Sequence, residues 1–178
     1  MTPAQIRALI RSVPDFPVPG VLFRDVTTLI AHGPGLAATI EHLAERAEPA
    51  GAQAVAGVEA RGFIFGAALA IRLGLGFVPV RKAGKLPVPC LGIDYALEYG
   101  HARIELDPGA IDAGERVLLV DDLLATGGTA LAAVQLLRQA GAVVEHALFV
   151  IDLPELKGAE LLRDAGVACH SVVEFAGH

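Results

Sequence analysis

Two adjacent acids followed by a glycine-rich turn, Asp121-Asp122-Leu123-Leu124-Ala125-Thr126-Gly127-Gly128-Thr129, carry the densest chemistry in this sequence. The apolar run Val117 to Val120 leads into them and an Ala/Leu-rich stretch follows, so the spacing predicts a buried strand, a loop and a helix. Backbone N–H groups of the turn then stand at a helix N-terminus, where the helix dipole also favours an anion. That is a phosphate cradle. Two carboxylates beside a phosphate repel it unless a ribose diol or a hard cation lies between, and both are groups that carboxylates bind. The expected ligand is a sugar phosphate, with a metal. The sequence has neither G-x-x-x-x-G-K-[ST] nor G-x-G-x-x-G after a strand, which argues against a nucleoside triphosphatase and a dinucleotide oxidoreductase.

Cations gather near two other strand ends of an otherwise acidic chain, whose formal net charge is −6. Glu59-Ala60-Arg61-Gly62 follows an apolar run, and Arg81-Lys82-Ala83-Gly84-Lys85 follows another. Arg grips phosphate through paired N–H bonds and Lys acts as a point charge. Alone, the second segment reads as a solvated loop; beside a sugar-phosphate loop it suits a second anionic group. Asp15 to Asp25 mixes rigid prolines with apolar groups, a hood that could enclose a flat heterocycle with Phe23 or its neighbours against the ring. Glu98 falls where a flap could bring a proton acceptor or donor to a reacting nitrogen.

These residues need a scaffold. Thr2-Pro3-Ala4-Gln5 is a capped helix start, and the first helix is expected to run to about Ser12. Helical periodicity spans Leu36 to Ala47, Phe63 to Leu73 and Thr129 to about Ala140, with a short last helix at Lys157 to Ala165. Strands are expected at Ala54 to Val58, Phe77 to Val80, Arg116 to Val120, Val143 to Ile151 and Ser171 to Phe175. Such alternation predicts an α/β protein, a mainly parallel twisted sheet covered by helices on both faces. Leu91 to Leu106 breaks the pattern and reads as a hairpin or mobile flap turning at Gly100. In a sheet of this kind, ligands bind beyond the C-terminal ends of the strands, where these motifs fall.

At 178 residues and 53% hydrophobic content, the chain is expected to form one domain, residues 1–178, with a hood at 1–30 and a flap at 91–106. No apolar stretch reaches bilayer length and the N-terminus lacks a signal-like core, so no membrane contact and a cytoplasmic location are expected. The charge argues against nucleic acid as a partner. Cys90 and Cys169 have no metal or disulfide spacing and read as buried or incidental thiols. The six histidines show no metal-ligand spacing either.

Val117 to Thr129 resembles the phosphoribosyl-pyrophosphate (PRPP) motif of the type I phosphoribosyltransferases. Asp15 to Asp25, Glu59 to Phe63, Arg81 to Pro87, Tyr95 to Gly100 and Leu156-Lys157-Gly158 resemble segments of the adenine-using branch, in its order. The resemblance implies a single-domain type I phosphoribosyltransferase fold and the reaction of adenine with PRPP and Mg²⁺ to AMP and pyrophosphate. By position, Ala125, Thr126, Gly127, Gly128 and Thr129 would hold the 5′-phosphate, and Asp121 and Asp122 the ribose hydroxyls. Glu59, Ala60 and Arg61 match the pyrophosphate loop, where relatives often have a non-proline cis peptide between the first two, and Arg81, Lys82 and Lys85 would meet pyrophosphate. Val21, Leu22, Phe23 and Arg24 match the base hood, with Leu153 opposite, while Glu98 and Tyr99 match the catalytic flap pair. No direct protein ligand to the metal is implied, and a homodimer is. Asp152 stands where many relatives have Glu, and Ala83 where a cation is frequent. A transferase for another purine fits the hood and flap less well. A regulator that senses PRPP without turnover would need a DNA-binding module or a basic face.

Overall fold

The computed structural model describes residues 1–96 and 100–177. In chain order the elements are α1 (Pro3–Ala8), β1 (Arg11–Pro14), β2 (Leu22–Asp25), a single turn α2 (Thr27–Ile30), α3 (Gly33–Ala47), β3 (Ala54–Val58), α4 (Arg61–Leu73), β4 (Gly76–Lys82), β5 (Leu91–Ala96), β6 (His101–Leu106), β7 (Val117–Leu124), α5 (Gly128–Gln139), β8 (His146–Asp152), α6 (Gly158–Asp164) and β9 (Ala168–Glu174). The main sheet runs β5-β6-β4-β3-β7-β8-β9. Strands β4, β3, β7, β8 and β9 are parallel, and the β5–β6 hairpin adds an antiparallel edge. This is the expected α/β architecture. The flap region is a hairpin as expected, with Gly100 at φ 92°.

Continuous apolar runs serve both faces at once, because successive strand residues point to opposite sides. On β3 and β7, Ala54, Ala56, Val58, Val117 and Leu119 pack with α5 and Leu162 of α6. Their neighbours Val55, Leu118 and Val120 pack with α1, α3 and α4 on the other face, around Ile6, Leu43 and the fully buried Phe65. Each large side chain so buried contributes about 1.5–3 kcal/mol relative to exposure. This two-sided core fixes the strand ends that carry the site.

Several boundaries differ from expectation: β8 begins at His146, not Val143, and β9 spans Ala168–Glu174, not Ser171–Phe175. The first helix stops at Ala8, although its Thr2–Gln5 capping box forms as read. Arg11–Pro14 instead pairs antiparallel with Leu22–Asp25, and Arg11 Nη2 meets Asp25 Oδ2 at 2.5 Å. Strand β7 does not end at Val120; its ladder with β8 continues through Leu123↔Ile151 and Leu124↔Asp152. The two acids therefore lie within the strand. Among the thiols, Cys90 is exposed and Cys169 is part-buried, its pKa pushed up to about 11 by burial.

Candidate active site

One cavity of about 400 Å³ opens beyond the C-terminal ends of β3, β4 and β7, lined by the loop and strand residues Glu59 to Arg61, Lys82 and Asp121 to Ala130. It is roughly the size expected for a small-molecule site. Glu59, Ala60, Arg61, Lys82, Asp121, Asp122, Ala125, Thr126, Gly127, Gly128 and Thr129 are thus brought together from three separate segments.

The glycine turn does what its sequence suggests. Gly127 takes φ 85°, a left-handed conformation that glycine adopts without penalty, and α5 starts immediately after it. No side chain caps this helix, so its leading amides are available to a ligand. Gly158 at the start of α6 lies directly beneath: a β-carbon there would stand 3.0 Å from the Gly127 nitrogen and would also collide with the Ala125 carbonyl oxygen.

The acids are arranged tightly. Asp121 Oδ1 accepts from the Asp122 amide at 2.8 Å, and Asp122, 4% exposed, is ion-paired through Oδ2 with Arg61 Nε. Burial first, then the neighbouring Asp122 carboxylate, pushes the Asp121 pKa well above the ordinary range. Burial works against the Arg61 charge, but the Asp122 and Asp121 carboxylates outweigh it and raise its pKa. At the end of β3, where the Glu59–Ala60 peptide is cis, Glu59 Oε2 accepts from the Lys82 amide at 3.0 Å and from Arg81 Nε at 3.1 Å. The Lys82 amide bond is the main cause that holds the Glu59 carboxyl below its usual range.

Other expected residues stand back from the cavity wall. Arg81 is drawn to Glu59 and to the Lys85 carbonyl, which its Nη1 reaches at 3.3 Å. Val21, Leu22 and Phe23 lie on or beside β2; the Phe23 ring packs edge-on against Phe16 at 5.2 Å and lies 5.9 Å from the Arg61 guanidinium. The Arg24 side chain is turned away from the cavity: it is 7% exposed, bonds Ser12 Oγ and the Ala176 carbonyl, and stacks on Phe175. Leu153 is buried next to β7, its amide donating to the Leu124 carbonyl at 3.0 Å. Glu98 and Tyr99 lie outside the described residues.

Tyr95 and Ile104 of the hairpin line the cavity without having been singled out as site residues. Tyr95 Oη sits 3.5 Å from the Thr129 hydroxyl. The alternation Leu91, Ile93, Tyr95 on one hairpin face was the signal available. Among the described residues no three of His, Cys, Asp or Glu form a metal cluster, and no helix is long and apolar enough to cross a membrane.

Uncapped amides at a helix N-terminus, two adjacent acids and the cations Arg61 and Lys82 share one cavity at the strand ends, an arrangement suited to a phosphorylated sugar. The phosphoribosyl transferase domain family matches residues 27–167, and the chain belongs to it. Within that family it groups with the adenine phosphoribosyltransferases. It is 68% identical to the adenine phosphoribosyltransferase of Novosphingobium aromaticivorans, over 100% of both chains. The crystal structure of the enzyme from Thermoanaerobacter pseudethanolicus superposes with a TM-score of 0.93 at 43% identity, covering 98% of this chain and 100% of that one. The Saccharomyces cerevisiae enzyme, crystallised with adenine and an imino-altritol bisphosphate, gives 0.89 at 37% identity, covering 96% of this chain and 98% of that one.

Proposed function

We propose that this chain transfers the 5-phosphoribosyl group of PRPP to adenine, giving AMP and pyrophosphate, a salvage reaction for a free purine. The observation that carries this reading is the convergence of Glu59, Arg61, Lys82, Asp121, Asp122 and Ala125–Thr129 on one cavity. Amides of Thr126 to Thr129 hold the 5′-phosphate, and Asp121 and Asp122 accept the ribose hydroxyls. Lys82 and Arg61 gather the pyrophosphate, supported by Arg81 and Lys85 and by the Glu59-Ala60 loop. Adenine enters between the hood, at Val21 to Phe23 and the backbone of Arg24, and Leu153. A hard Mg²⁺ ion would be held mainly through substrate oxygens and water, with the carboxylates of the cavity near it and no dedicated protein cage among the described residues. When bound, that ion neutralises charge on the departing pyrophosphate.

As the C1′–oxygen bond breaks, positive charge develops at C1′ and negative charge on pyrophosphate; the C1′–N9 bond forms and the N9 proton passes to the Glu98 carboxylate. The basic rim stabilises the leaving group, and the cavity walls hold donor and base in line. Glu98 and Tyr99 act at the base, and the flap keeps water from the sugar. Residues 1–178 work as one cytoplasmic domain and as a homodimer. Ile64 and Ile71, two turns apart on α4, are 40% and 83% exposed, an apolar surface that a second copy would cover. Sedimentation of the purified protein tests that part.

The deciding assay incubates purified protein with PRPP and Mg²⁺ and compares nucleotide formation from adenine, hypoxanthine, guanine and xanthine. Adenine is the expected acceptor. Absence of turnover with adenine overturns the reading.

A further inference from the structure

Behind the cavity, outside its lining, a single carboxylate holds the basic loop. Glu105 on β6 is 9% exposed, between Ile104 and Leu106 at 2% and 0%. One of its oxygens, Oε2, accepts from the Gly84 amide at 2.9 Å, and Oε1 accepts from Arg103 Nε at 3.0 Å. Arg103 reaches on with Nη1 to Asp94 Oδ2 on β5 at 3.1 Å, and its carbonyl accepts from the Ala83 amide at 3.2 Å.

Lys82 and Gly84 are two residues apart, and their amides donate to two different carboxylates. The Lys82 amide bonds Glu59 inside the site, and the Gly84 amide bonds Glu105 behind it. The backbone that presents Lys82 to the cavity therefore hangs between two anchors. Backbone pairing of Arg81 with Glu105 and of Lys82 with Ile104 sets the register of the same crossing. Gly84's amide, then Arg103, hold the Glu105 carboxyl below its usual range, so it carries a charge at neutral pH.

A largely buried charge between the apolar Ile104 and Leu106 is a costly means of adding stability, since a well-packed apolar side chain commonly does as well or better. What the charge adds is geometry: its two oxygens bond the loop amide and Arg103, and Arg103 carries the link on to Asp94 of β5. We propose that Glu105 is a positioning residue for the pyrophosphate end of the site, fixing Lys82 and the Arg81–Lys85 backbone against the hairpin. Glu105 touches no substrate itself and acts through Lys82. The inference rests on the proposed role of the basic loop.

The test is Glu105→Gln, which keeps the shape and an acceptor for Gly84 but removes the charge that holds Arg103. Relative to the wild type, KM for PRPP and the dissociation constant of pyrophosphate are expected to rise about tenfold, with KM for adenine changed by less than about twofold. Pyrophosphate binding is followed by calorimetry, which needs no turnover. Arg103→Lys is the second variant: its side chain is 41% exposed, and an ammonium cannot span Glu105 and Asp94 as the guanidinium does. A shift in the same direction, about threefold, is expected there. Unchanged pyrophosphate affinity in folded Glu105→Gln overturns the proposal, as do equal rises in both KM values. If Glu105→Gln does not fold, unchanged pyrophosphate affinity in Arg103→Lys overturns it. Absence of PRPP turnover in the wild type is instead a failure of the proposed function.

Discussion

Arg61 and Asp122 form an ion pair inside the cavity, although one is the first residue of α4 and the other lies on β7. Under the proposed function, the protein satisfies within itself a cation and an anion that the donor substrate would need separately. On that reading, donor binding would replace this contact with substrate contacts.

Asp122→Asn separates the role of this pair in binding from its role in folding. The Arg61 side chain is 51% exposed and regains water when its partner is neutralised, so Tm is expected to fall by less than about 4 °C. Loss of a charged hydrogen-bond acceptor for ribose raises KM for PRPP about 10- to 100-fold. Thermal melts and initial rates check both. A collapse of Tm with unchanged PRPP affinity makes Asp122 structural.

Asp121→Asn is expected to stabilise the free protein while weakening it as an enzyme. Burial raises the folded-state pKa of Asp121 above its ordinary 3.8, so the folded state resists ionisation and loses stability as pH rises past that value. Asparagine keeps the oxygen that accepts from the Asp122 amide and carries no charge. At pH 7–8 Tm should rise by about 2–4 °C while KM for PRPP rises. A fall in Tm counts against the linkage.

Asp25 gives the opposite sign. Thr27 first, then Arg11, holds its pKa down to about 2, so its contribution is complete above the ordinary carboxyl range and is lost as pH falls from 3.8 toward 2. Asp25→Asn is expected to cost about 1–2 kcal/mol at neutral pH, after allowing for the exposed Arg11 partner, and to flatten the acid limb of the stability curve. Urea melts from pH 2 to 7 measure it.

Gly158→Ala drives a methyl group into the Gly127 and Ala125 backbone. A loss of about 1–3 kcal/mol and a weaker 5′-phosphate site are expected, with affinity for ribose 5-phosphate as the direct reading. Unaltered affinity means that the loop accommodates the methyl.

The features legible from sequence share a local cause. The β3 bounds, Ala54–Val58, match the expected strand, because a five-residue apolar run between loop residues has one reading in an alternating chain. The glycine turn was legible because Gly127 and Gly128 stand between a strand and a helix former. What escaped depends on distant pairing. Arg11 and Ser12 continue a helical pattern but are captured, with Val13 and Pro14, as a strand by Leu22–Asp25. The Arg24 guanidinium meets the Ala176 carbonyl, 152 residues away, and no local pattern announces that. Tyr95 was visible as an alternating residue, but its place over Thr129 depends on how the hairpin lies on α5.

The central register joins Ala54 to Val117 and to Gly76, so the cavity's walls come from stretches of chain that meet only when the middle of the sheet has zipped. A half-formed chain has no donor site to offer. Ligand therefore acts on the native population alone, and at about 100 times its dissociation constant PRPP would add about 2.7 kcal/mol to the cost of unfolding. Where reclosing outpaces cleavage, a rise in substrate is therefore expected to slow proteolysis of the chain, independently of how fast it turns over.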